Sequence, residues 1–163
     1  MGKGIGWSSV ESPSTEGVAI YAPPRVEEFS SWWDNFELYK VLSCHQAGHL
    51  EFGSFELTTE HQPTSFSNLR MQLMESHGTA PTLSHYEGFF DIFSDRKLAR
   101  DIFTIAEDGR VDWHLKSEYK GILKPYYHIQ EWFIDKRHPV AELPLREAAL
   151  EVLLRLSAGY ATT

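Results

Sequence analysis

A single cysteine, Cys44, stands in 163 residues, so the chain can form no internal disulfide. No apolar run approaches the roughly 18 residues that a membrane span needs. The opening MGKGIGWSSVESPST has no apolar core of the kind a signal peptide carries, so the reading is a cytoplasmic protein. Clustered Lys and Arg are also missing, and the net charge of −8 argues against a nucleic-acid surface. No G-x-S-x-G occurs, and Cys44 adjoins His45 in sequence rather than facing it across a cleft, so a serine or cysteine nucleophile has little support.

What the chain does have is apolar and aromatic bulk, 42 % and 13 %, enough for one well-packed domain at this length. The stretch 35–55, NFELYKVLSCHQAGHLEFGSF, organises it. Leu38, Leu42, His45, His49 and Phe52 step by four, three, four and three, which puts them on one face of a helix, and that face should look inward. A buried imidazole without a partner costs roughly 1–3 kcal/mol. Two of them one turn apart point to a shared partner.

The i, i+4 histidine pair has the spacing of H-E-x-x-H, in which both rings meet one metal and the Glu serves as base. Here the run is His45-Gln46-Ala47-Gly48-His49. The ligand positions are kept, but Gln46 cannot take a proton from water. Two readings follow: a metal pair without its base, or core histidines bonded to backbone or carboxylates. Cys44 could add a soft ligand but points about 100° away from His45, which favours a small buried apolar residue.

In chain order, residues 1–16 read as a flexible lead-in, 17–160 as one helical domain and 161–163 as a loose tail. The run 17–22, stopped by Pro23 and Pro24, suits a short edge strand or an arm packed on the helices. Residues 26–33 open a helix, with Trp32 and Trp33 as core and Asn35 capping the central helix, which Gly53 ends. Shorter amphipathic helices are expected at 66–74 and 82–93. Ser94 and Asp95 cap a long helix over 96–119, broken by Gly121 and Pro125 before an aromatic helical segment around Tyr126, Ile129 and Trp132. The segment 143–157 reads as a helix with Leu145, Ala149, Val152, Leu153 and Leu156 inward, ended by Gly159. The sum is an all-α or nearly all-α domain of five to seven helices with a short N-terminal edge strand.

In the long helix, Glu107 lies on the side of Phe103, Val111 and His114, where only a cation, a metal or a donor network could hold it ionised. Asp108, one position round, could orient a histidine ring through its other N–H. The alternative is a structural salt-bridge cluster with Arg110 and Arg100.

The runs LYKVLSCHQAGHLEFGSFEL, FFDIFSDRKLARDIFTIAEDGRVDWHLKSEYKGI and LPLREAALEVLLRL, in that order, resemble the region preceding the von Willebrand A domain in the nitric-oxide-reductase activation protein family. The likeness spans residues 36–157. It implies a zincin-like helical core, with His45 and His49 as helix ligands of a zinc ion, Glu107 as the downstream acid, and Asp108, Arg110 and His114 around them. It also implies a non-catalytic adaptor that works with a MoxR-type AAA+ ATPase to remodel or mature a metalloenzyme client. Gln46 departs from the peptidase pattern. The alternative is a zinc-dependent, metallopeptidase-like hydrolase using Glu51 or Asp108 as a substitute base. The family's adhesion motif, D-x-S-x-S, occurs nowhere in these 163 residues, so the expectation is a fragment, a truncated product or a stand-alone relative.

Overall fold

The computed structural model describes Ser14–Thr15 and residues 20–55, 89–91 and 93–160. The expected helix 66–74, the loop before it, the tail, and most of the lead-in and of the expected helix 82–93 lie outside these residues. Among the described residues the structure is mostly helical: α1 is Trp32–Glu51, α2 Arg96–Glu118, α3 Leu123–Asp135 and α4 Leu145–Ser157. Two-residue strands β1, Ser14–Thr15, and β2, Ile20–Tyr21, pair antiparallel, so the expected short strand pairs with a segment that read as lead-in. No helix of the described residues is long and apolar enough to cross a membrane.

Contacts gather the chain into two compact units, one of residues 1–55 with 104–163 and one of 56–103. In the second, Phe89, Phe90 and Phe103 meet edge-on or tilted, with the Arg100 guanidinium over the Phe90 ring. Asp95 there caps α2 by accepting the Leu98 N–H at 2.9 Å, as its sequence position leads one to expect.

In the first unit α1 starts earlier than the sequence reading placed it. Ser31, not Asn35, is the N-cap, its hydroxyl accepting the Asp34 N–H at 3.4 Å. Asn35 sits one turn inside and clamps the incoming chain, donating to the carbonyls of Phe29 and Ser31 and accepting the Phe29 N–H. Residues 26–31 are therefore not helical. Trp32 and Trp33 are 73 % and 57 % exposed rather than core, because the first turn of α1 lies outside the packed face. At the other end Gly53 takes φ +70° and the Ser54 N–H returns to the His49 carbonyl, a closure that glycine accepts without strain.

The core of this unit is Leu38, Val41 and Leu42 of α1, Val111 and Leu115 of α2, Ile122, and Tyr126 and Ile129 of α3. Gly48 lets α1 and α2 close on each other: a Cβ there would stand 2.8 Å from Val111 Cγ1 and 3.3 Å from Leu115 Cδ1. A 3₁₀ turn, Lys120–Ile122, joins α2 to α3. Pro125 does not keep the chain broken but sits in the first turn of α3, where its missing N–H has no bond to lose.

Helix α4 has a different rotational setting from the one its leucines predict. Leu150 and Glu151 are buried, whereas Leu145 is 89 % and Leu156 57 % exposed and Ala149 is exposed. The buried Glu151 carboxylate is the reason: Arg137 reaches it through Nε and Nη2 at 2.7 Å, and Arg155 Nε at 2.8 Å. Two charge-assisted pairs on one carboxylate outweigh the partial exposure of flanking leucines. Gly109 completes the setting, since a Cβ there would meet Ser157 Cβ at 2.8 Å.

Candidate metal centre

Two turns of α1 and two of α2 face each other across the Gly48 contact and bring His45, His49 and Asp108 together. His45 Nε2 and His49 Nε2 are 3.1 Å apart, and Asp108 Oδ1 lies 3.7 Å from the first and 3.5 Å from the second. His45 is buried, at 3 % side-chain exposure, while His49 and Asp108 keep 12 % and 22 %. A cavity of about 60 Å³ is lined by Asp108 and Asp112 together with Ile105, Phe133 and Leu154 among others.

The outer nitrogens hold both rings in place. His45 Nδ1 is 2.8 Å from Asp112 Oδ1 and 3.1 Å from the Tyr126 hydroxyl, which itself donates to that carboxylate oxygen. A carboxylate only accepts, so the proton is on Nδ1 and the neutral ring turns its Nε2 lone pair to the centre. His49 Nδ1 is 2.9 Å from Ser54 Oγ. With its proton on Nδ1, His49 donates to the Ser54 hydroxyl oxygen and turns its Nε2 lone pair inward as well.

In that tautomer two inward lone pairs and a carboxylate oxygen favour a cation between them. Without a metal the cation is a proton: burial opposes charge on His45, yet Asp108 and Asp112 overcome it and raise its pKa to about 9. Burial likewise opposes ionisation of Asp108, and the two histidines pull its pKa down to about 2. A zinc ion is the other solution. Ligands 2.0–2.1 Å from a tetrahedral centre are about 3.3–3.4 Å apart, and the three observed separations of 3.1, 3.5 and 3.7 Å bracket that value. The Nδ1–H groups held by a carboxylate and a hydroxyl are the outer contacts that orient metal-binding imidazoles.

The remaining sequence candidates are placed elsewhere. Asp108, expected as an orienting group, takes the position beside the histidines, and Glu107 does not. Its carboxylate is taken by Arg110 at 2.6 and 2.8 Å, which with Ser54 holds its pKa down against the effect of burial. Arg110 also donates to the Phe52 carbonyl at 2.9 Å and so ties the end of α1 to α2. His114 stacks on Phe52 and pairs with Glu118 at 3.0 Å, away from the centre. Glu51 is exposed and accepts the Tyr119 phenol proton. Cys44 packs against the core, where burial pushes its thiol pKa up, and it is not among the converging groups. Gln46 is half-buried on α1.

Asp112, Tyr126 and Gln130 are the site residues that sequence reasoning missed. The signal was present: Asp108 and Asp112 are i, i+4, as are Tyr126 and Gln130, so each pair shares a helix face. In a second group, Asp34, Glu37 and His128, the His128 Nδ1 lies 3.0 Å from a Glu37 carboxylate oxygen, with Asp34 beside it.

No protein-family model matches the chain, and neither do any curated proteins or solved structures.

Proposed function

We propose that the chain is a helical module that holds one zinc-type divalent ion through His45, His49 and Asp108 and acts as an adaptor rather than as an enzyme. The observation that carries the metal reading is the convergence of two Nε2 atoms and one carboxylate oxygen at 3.1, 3.5 and 3.7 Å, with both Nδ1 atoms occupied on the outside. Two imidazoles and a carboxylate favour zinc among common cellular ions.

The adaptor reading rests on what surrounds that set. Gln46 stands where a peptidase would carry its base, Glu51 is bound to Tyr119 on the surface, and Asp108 is a ligand in this arrangement and so is not free to deprotonate water. At the start of α1 Trp32 stacks on Phe36 and Trp33 tilts against both, all three exposed, a contiguous aromatic surface of the sort that docks a partner. By its resemblance to the nitric-oxide-reductase activation family, the proposed partners are a MoxR-type AAA+ ATPase and a metalloenzyme client, and the proposed core is zincin-like. A metallopeptidase-like hydrolase is the second reading; the H-x-x-x-H spacing favours it and Gln46 opposes it.

Elemental analysis of untagged protein, purified without a metal column, tests the metal. About one zinc per chain, lost in His45→Ala/His49→Ala, is the expected result; no metal in either protein would reduce His45, His49 and Asp108 to a buried polar network. The Gln46→Glu variant separates the other two readings. The adaptor reading expects no gain of peptidase activity in the zinc-loaded variant, whereas a gain would identify a disabled enzyme.

A further inference from the structure

Behind His45 lies a chain of polar groups longer than a metal ligand ordinarily needs. Asp112 receives the His45 Nδ1–H on Oδ1, and on Oδ2 it receives the Gln130 amide at 3.2 Å. Gln130 in turn accepts from Lys116 Nζ at 3.1 Å through Oε1. The amide can be oriented only one way, because the lysine only donates and the carboxylate only accepts. Lys116 is placed by its own surroundings: its ammonium stands 5.5 Å from the Tyr126 ring centre and 5.4 Å from that of Tyr127, over both faces. Gln130 and Asp112 are 3 % and 4 % exposed, so neither is held in place by water.

We infer that Lys116 and Gln130 are positioning residues for the metal centre, a strut that locks the Asp112 carboxylate and through it the tautomer and tilt of His45. This inference rests on the metal reading and adds to it that affinity is set two and three residues behind the ligand. Without Gln130, Asp112 keeps its charge but loses the contact on Oδ2 that fixes its plane; without Lys116, the Gln130 amide loses the donor that holds it, and in either case the imidazole that Asp112 steers is freer to turn. Contacts made directly to a metal ligand are worth about 10–100-fold in metal affinity, and the strut acts through one such contact, Asp112, so its effect falls at the low end of that range.

The test compares wild type with Lys116→Met, Lys116→Arg and Gln130→Leu, each confirmed folded by circular dichroism. Zinc affinity is read by competition with a chromophoric chelator, and cobalt(II) absorption reports the ligand geometry. Lys116→Met should bind zinc about tenfold more weakly and Gln130→Leu more weakly still, both with altered cobalt spectra, while Lys116→Arg keeps a donor and stays near wild type. Lys116 is half-buried against tyrosine rings that tolerate a methionine, so that variant remains informative if Gln130→Leu fails to fold. Equal affinity and identical cobalt spectra for wild type and Lys116→Met would overturn the strut and leave the metal reading intact. No zinc or cobalt bound by wild type would overturn both.

Discussion

Tyr126 shows how much a single hydroxyl carries here. It is fully buried, donates to Asp112 and lies 3.1 Å from His45 Nδ1, so its removal leaves a charged oxygen short of a donor where water cannot replace it. Tyr126→Phe should cost about 1–3 kcal/mol of stability. Tyr119 bonds a carboxylate just as directly, but on the surface, and Tyr119→Phe should change stability by less than about 0.5 kcal/mol. Urea denaturation of the two variants beside wild type checks both; equal losses would contradict the burial argument. At the two facing histidines, His45→Ala and His49→Ala should each cost about 2–4 kcal/mol, through a lost bond or a lost ion, and the same denaturation series measures them.

At the scale of the elements, the site exists because α1 and α2 approach closely, and Gly48 between the two histidines allows it. An alanine in a helix interior ordinarily stabilises by about 0.8–1.0 kcal/mol over glycine. Gly48→Ala should reverse that sign and cost about 1–3 kcal/mol, because its methyl would be pressed onto Val111. Gly121→Ala, where a Cβ meets nothing within 4 Å, should be neutral or stabilising by up to about 1 kcal/mol. Thermal melts of the pair give the comparison. The α1 face was legible in the sequence because its spacing and its Gly53 stop agree with each other. The α2 face was misread by one position, Glu107 for Asp108, since periodicity alone does not fix a helix's rotation to better than about 100°. Arg110 decides it, and that pairing reaches across to the Phe52 carbonyl, a tertiary contact with no local signature.

Over the whole molecule, the same limit explains α4. Its leucines predicted an inward face, but the buried Glu151 between Arg137 and Arg155 turned the helix, and a carboxylate in a leucine-rich helix reads in sequence as a surface residue. That choice carries a pH consequence. Burial opposes ionisation of Glu151, but the two guanidinium groups more than offset it, so its folded pKa lies below the ordinary value of 4.5. A depressed carboxylate contributes stability that is complete above its unfolded pKa and is lost as pH falls through the folded one. Stability should therefore decline below about pH 4.5, and Glu151→Gln should flatten part of that decline while lowering stability at pH 7 by about 1–3 kcal/mol. Asp108, held at a pKa of about 2, adds a loss of the same sign further down in acid. Denaturant midpoints from pH 7 to pH 3 for wild type and Glu151→Gln measure it. Parallel curves would mean that the arginines hold Glu151 no more tightly in the folded chain than water does in the unfolded one, and the rotation of α4 would then need another cause.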